Sequence, residues 1–181
     1  MYRLFVAIDL PDDVKKRIAD ICRDLPGARP VSREQLHLTI RFIGDVDEDT
    51  FASAREALAG ITGASFPLTI RGIGHFPPGK LPRVLWAGLE DSPPLMELQQ
   101  QVELALVEAG IMPDARRFSP HLTLARLKET PPAKAALLEE QQRDLVAGPF
   151  TIEEFHLYSS TLNRAGAIHV KMQTYPLSRS R

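Results

Sequence analysis

The chain is short of thiols, indoles and net charge: one cysteine, one tryptophan and a formal charge of −1 in 181 residues. A lone Cys22 excludes any intrachain disulfide framework and fits a reducing compartment. The 22 Lys and Arg are matched by 23 Asp and Glu, so no global basic field exists to wrap long nucleic acid. A local basic cleft remains compatible with that balance. No apolar run approaches the roughly 20 residues of a membrane span. The opening "MYRLFVAIDLP" also reaches polar residues too early for a secretory core, so a cytoplasmic protein without membrane association is expected. The glycines at 72, 74 and 79 lack phosphate-loop spacing, and there is neither a cysteine cluster for zinc nor a nucleophile elbow. Neither a metal nor a cofactor is expected.

What is present is an ordinary globular composition, 44% hydrophobic and 25% charged, enough to bury one core or two small lobes around a cleft. Residues 2–10 are rich in branched and aromatic side chains and stop at Pro11, which reads as a buried strand running into a helix start. Val14, Ile18, Ile21, Cys22 and Leu25 then recur at helical spacing behind Asp12 and Asp13. Further helices are expected over 47–60, 92–110 and near 131–145. Strands are expected over 36–43, 66–74, 83–90, 120–127, 149–158 and 166–174. This alternation predicts an α+β fold with mostly antiparallel sheets.

One tetrapeptide occurs almost twice: "HLTI" from His37 and "HLTL" from His121, 84 residues apart. The surrounding order of strand, helix, HLT strand, helix and strand also repeats. The chain is therefore expected to be a single bilobal domain over 1–181 with an internal repeat of roughly 1–75 and 82–175. On a strand, residues i and i+2 share a face, so His37 pairs with Thr39 and His121 with Thr123, while the leucines look the other way. A pseudo-twofold axis would set both polar faces across one cleft. Two imidazoles can then divide proton acceptance and donation near neutrality, and two threonine hydroxyls suit a phosphate's anionic oxygens. Arg126 is a candidate cation for a phosphoryl transition state, provided its strand bulges or ends there. Arg41 keeps the His37 face on strict alternation and is a second candidate. Phe42, Phe76, Trp86 and Phe118 are candidates to stack a base. Arg33, Arg116 and Arg117 could guide an RNA strand. His75, His156 and His169 have no repeated partner and read as structural or surface residues, and Cys22 as packing.

These residues resemble the 2H phosphoesterase superfamily and, within it, the bacterial RNA 2′,3′-cyclic phosphodiesterases, also called LigT-like 2′-5′ RNA ligases. The resemblance covers essentially the whole chain, through "RLFVAIDLP", "LHLTIRFIGDV", "GIGHFPPGKLPRVLWAGL" and "FSPHLTLARLK". It implies a bilobal LigT-like fold with helices outside and an active-site cleft between two similar lobes. It also implies metal-independent opening of RNA or nucleotide 2′,3′-cyclic phosphates to 2′-phosphomonoesters, with reversible joining of tRNA halves through a 2′-5′ linkage. His121 would then be the proton acceptor and His37 the proton donor, with Thr39, Thr123 and Arg126 on the phosphate; Arg41, Phe42 and Phe76 are expected beside the substrate from their positions alone. Opposed lobes suit in-line attack, which needs base and acid on opposite sides of phosphorus. Because the motifs are near-copies, only unequal surroundings can decide which histidine does what. Two other readings stay open: an RNA-end binding module, and a relative acting on another cyclic or 2′-5′ phosphodiester. A monomer is expected.

Overall fold

The computed structural model describes residues 1–179, so residues 180 and 181 of the expected domain lie outside the described residues. The elements run β1 (Tyr2–Asp9), α1 (Asp12–Ile18), β2 (Ala28–Pro30), a 3-10 turn (Arg33–Gln35), β3 (His37–Val46), α2 (Glu48–Ala59), β4 (Phe66–Phe76), β5 (Val84–Leu89), α3 (Pro93–Glu108), β6 (Leu122–Leu127), α4 (Pro132–Gln141), β7 (Val146–Ile152), β8 (Glu154–Asn163) and β9 (Gly166–Pro176). Local chemistry explains the long helices. Asp47 accepts from Thr50 N at 2.8 Å to cap α2, whose Phe51, Ala54 and Leu58 form one buried stripe. Ser92 caps α3 in the same way ahead of Pro93, and Leu95, Leu98, Val102 and Leu106 face the core.

Several bounds shift by a few residues, and three differences from the sequence reading change the architecture. The first helix ends near Ile18 because the next hydrogen bonds reach back only three residues, Ile21 N to Ile18 O and Leu25 N to Cys22 O. The tighter turns still bury Cys22. The expected strand 149–158 is two strands, β7 and β8, which break at Glu153 and join different sheets. Strand β2, not anticipated, pairs with β6.

The nine strands form two sheets, ordered β3-β1-β8-β9 and β2-β6-β5-β4-β7, and every named strand pairing is antiparallel. Each sheet holds an HLT strand beside the first strand of its own sequence half. The following strand then comes from the other half: β8 lies against β1, and β4 against β5. The halves of the sequence are thus interleaved across the two layers. Helix α2 packs on β1 and β9 and α3 on β3, while α1 packs on β7 and α4 on β4, so the helices cover the outer faces. Leu38, Ile40, Leu122 and Leu124 are at most 3% exposed and belong to the main core. The His and Thr faces look the other way, and β3 and β6, one from each sheet, come into contact.

Candidate active site

Both HLT histidines are presented in the same way. His37 Nδ1 lies 2.6 Å from the Gln35 carbonyl and His121 Nδ1 lies 2.7 Å from the Ser119 carbonyl, in each case two residues upstream. A carbonyl only accepts, so Nδ1 carries the proton and Nε2 is left as the working nitrogen of each ring. Thr39 and Thr123 follow on the same face, half-buried, and among the described residues neither hydroxyl has a protein partner.

A bulge at the same repeat position governs what comes next. In β3 the register skips Ile40, with Ala7 opposite Thr39 but Val6 opposite Arg41. In β6 it skips Leu124, with Trp86 opposite Thr123 but Leu85 opposite Ala125. One extra residue reverses the alternation. Arg126 therefore returns to the Thr123 face and is exposed, as its expected role required. The equivalent position in the first half is Phe42, 37% exposed, with the Arg3 guanidinium 5.3 Å from its ring centre. Arg41 departs from the expectation: the bulge at Ile40 turns it into the core. It is 6% exposed, pairs with Glu103 on α3 and donates to the Met112 carbonyl at 2.6 Å. Burial pushes the Glu103 carboxyl up, but the Arg41 hydrogen bond and charge and the Asp114 N–H outweigh it, leaving the acid below its ordinary range. Arg41 ties β3 to α3 and is not brought to the histidines.

The two imidazoles sit in unequal surroundings. Around His37 lie Phe5, with ring centres 5.0 Å apart, His169 at 5.2 Å edge-on and Tyr158 at 6.1 Å. Burial drives His37 down to about 4. The Gln35 carbonyl and Asp9 pull it up, while His169 and Lys15 push it further down. The substrate-free ring is therefore neutral at physiological pH. Asp9, opposite His37 at the end of β1, is clasped by Lys15 and Lys171, each at 2.7 Å. Burial raises Asp9, but the hydrogen bonds and charges of the two lysines prevail and its net shift is downward. His121 has a sparser setting, with Phe76 edge-on at 5.1 Å and Trp86 behind Phe76 at 5.4 Å.

The remaining candidates sort by position. Phe76 walls His121. Trp86 lies across β4 at Gly74, where a Cβ would stand 2.3 Å from the indole, so that glycine serves packing. Its Nε1 is buried without a partner among the described residues. Phe118 packs on the main core. Arg116 is paired with Asp114, while Arg33 is half-buried and Arg117 exposed. His75 meets Glu139, and His156 bonds Thr174 at 2.9 Å. The sequence reading missed Phe5, Tyr158 and His169 because no spacing links β1, β8 and β9 to β3. It also missed Arg29, which stands directly opposite Arg126 across the β2–β6 ladder. Among the described residues no three His, Cys, Asp or Glu side chains gather as a metal-ligand set, and no helix is long and apolar enough to cross a membrane.

The chain is similar to known proteins over most of its length. A Thermotoga maritima protein named RNA 2′,3′-cyclic phosphodiesterase is 35% identical over 173 residues, covering 92% of this chain and 91% of that one. A protein of the same name from Archaeoglobus fulgidus is 31% identical over 176 residues, covering 96% and 99%. The crystal structure of Escherichia coli LigT superposes with a TM-score of 0.79 at 26% identity, covering 98% of each chain. The family model described as the 2′-5′ RNA ligase superfamily matches residues 10–164. That match, with relatives above 30% identity along nearly the whole of a chain whose two HLT strands meet from separate sheets, places it in the 2′-5′ RNA ligase superfamily.

Proposed function

We propose that this protein is an enzyme that opens RNA 2′,3′-cyclic phosphates to 2′-phosphomonoesters by metal-independent acid–base catalysis. The observation that carries this reading is the duplicated presentation of Nε2 by His37 and His121, each beside a free threonine hydroxyl. In the reaction His121 Nε2 accepts a proton from water as its oxygen attacks phosphorus. The bond from phosphorus to O3′ breaks, and His37 Nε2 delivers a proton to the departing oxygen. Thr39 and Thr123 donate to the nonbridging oxygens, and Arg126 offsets the charge that develops on them. His37 is neutral in the free protein, so the anionic phosphate must draw a proton onto it as the substrate binds. Phe42, open on the same face with Arg3 against its ring, is the seat for the nucleobase. Arg29 doubles the positive charge at the Arg126 edge and suits an RNA end, tRNA halves included. Reversal of the same steps, with a ribose hydroxyl in place of water, would join two ends through a 2′-5′ linkage.

The test is turnover of a nucleoside 2′,3′-cyclic phosphate in excess chelator, followed by phosphorus NMR of the product. A 2′-phosphate is expected. A 3′-phosphate would reverse the assignment of the leaving oxygen. Tight binding of RNA ends with no turnover on any cyclic or 2′-5′ substrate would favour a binding module.

A further inference from the structure

The near-identity of the two HLT motifs leaves open what makes one imidazole unlike the other. In a flat sheet, β9 and β3 would be separated by three strand intervals, about 14 Å. Here the four-stranded sheet is curled so that its two edge strands approach at one end. The His169 ring on β9 stands edge-on to His37 at 5.2 Å and edge-on to Phe5 at 4.9 Å, so the three rings are in mutual contact. The same end of β9 reaches His37 by a second route. Gln35 receives His37 Nδ1 on its carbonyl, and its side-chain amide donates to the Ala167 carbonyl. One glutamine thus links the imidazole to the β8–β9 hairpin.

Among the described residues His121 meets one ring, Phe76 edge-on at 5.1 Å, and no side-chain hydrogen bond ties its carbonyl partner Ser119 to a distant hairpin. The hairpin owes little to the core here: Leu162, Ile168 and Val170 are 71%, 48% and 50% exposed, while His169 points inward. His169 Nδ1 is buried without a partner among the described residues. A buried nitrogen without a hydrogen bond contributes nothing to folding and costs desolvation.

Resting on the phosphodiesterase reading above, we propose that His169, with Gln35 bound to Ala167, is a positioning residue that holds His37 dry and oriented. It thereby makes the two histidines inequivalent. The wall acts through the shape of the ring, which any aromatic side chain can supply. The charged and titratable groups facing this centre are Asp9 on β1, Lys15 on α1, His156 and Tyr158 on β8, and Lys171 on β9. Asp9 and its two lysines are unchanged in the variants below.

The experiment compares His169→Ala, His169→Phe and Gln35→Leu by steady-state kinetics on a cyclic phosphate and by proton NMR titration of His37 without substrate. His169→Ala admits water beside His37. Its kcat falls about 10- to 100-fold with little change in KM, and the His37 titration moves up from about 4 toward the ordinary value. His169→Phe recovers most of the kcat and keeps His37 low. Gln35→Leu shifts both readouts in the direction of the alanine variant, by less. Unchanged kcat and titration in His169→Ala would overturn the proposal, as would a phenylalanine variant as impaired as the alanine one. If His169→Ala does not fold, the Phe and Leu variants decide in the same terms. If the unmodified protein opens no cyclic phosphate, the reading of function fails, and the titrations alone judge the wall around His37.

Discussion

The His37 and His121 centres share a tetrapeptide, a carbonyl two residues upstream, a free threonine hydroxyl and a bulge three residues downstream. They part company in what the rest of the chain places around them. Phe5, Tyr158 and His169 enclose His37, whereas His121 has Phe76 at its side. Past the bulge, the same position holds Phe42 in one centre and Arg126 in the other. A duplicated motif supplies two interchangeable proton carriers, and unshared neighbours then assign them different work. On the proposed function, a phosphate between them would meet a cation on one flank and an aromatic ring on the other.

The strongest way to break this comparison is to remove each imidazole. His37→Ala and His121→Ala should each lower kcat by about 10²- to 10⁴-fold, the usual contribution of a positioned acid or base. Full activity in either variant would leave the cleft with one working centre. Next comes the arginine that the bulge returns to the cleft. Arg126→Ala should cost about 10²- to 10³-fold in kcat if it stabilises developing phosphoryl charge. Arg41→Leu should behave oppositely. It strands the partly exposed Glu103, lowers stability in urea unfolding by about 2–3 kcal/mol, and leaves kcat per folded molecule unaltered.

Acid unfolding sharpens the difference in burial. His37 titrates near 4 when folded and near 6.5 when unfolded. Between those values the unfolded chain binds a proton that the native state refuses, so stability falls as pH drops through this window. Above about 6.5 the effect is absent because both states are neutral. The full difference is about 3 kcal/mol, and His169 and His156, both depressed first by burial, act in the same direction. His37→Gln should flatten this dependence in urea titrations run across the window. The smallest effect is expected at Phe42. Phe42→Ala should raise KM about tenfold for a purine cyclic phosphate, the scale of one lost stacking contact, with kcat preserved.

Much of the site was legible because strand periodicity is local. The period of two sets His37 with Thr39 and His121 with Thr123 on one face whatever the tertiary context, and the leucines between them follow into the core. Arg41 and Arg126 show where that rule stops. Both follow a bulge, and a bulge depends on the partner strand's register, so alternation turned Arg41 toward the cleft and Arg126 away from it. The pairing in the folded sheets does the reverse. The break between β7 and β8 was hidden for a similar reason: an apolar run carries no mark of which sheet each part will join.

His169 marks the same limit more sharply. It lies 132 residues from His37, on a strand separated from β3 by β1 and β8 in the sheet order. By itself the sequence determined the chemistry on offer, since residue type and a period of two are properties of the chain. Which imidazole is buried, and which arginine shares a face with the HLT threonine, was decided only by the tertiary structure. Desolvation and register arise between segments distant in the chain, through a curled sheet and two bulges that no local pattern encodes.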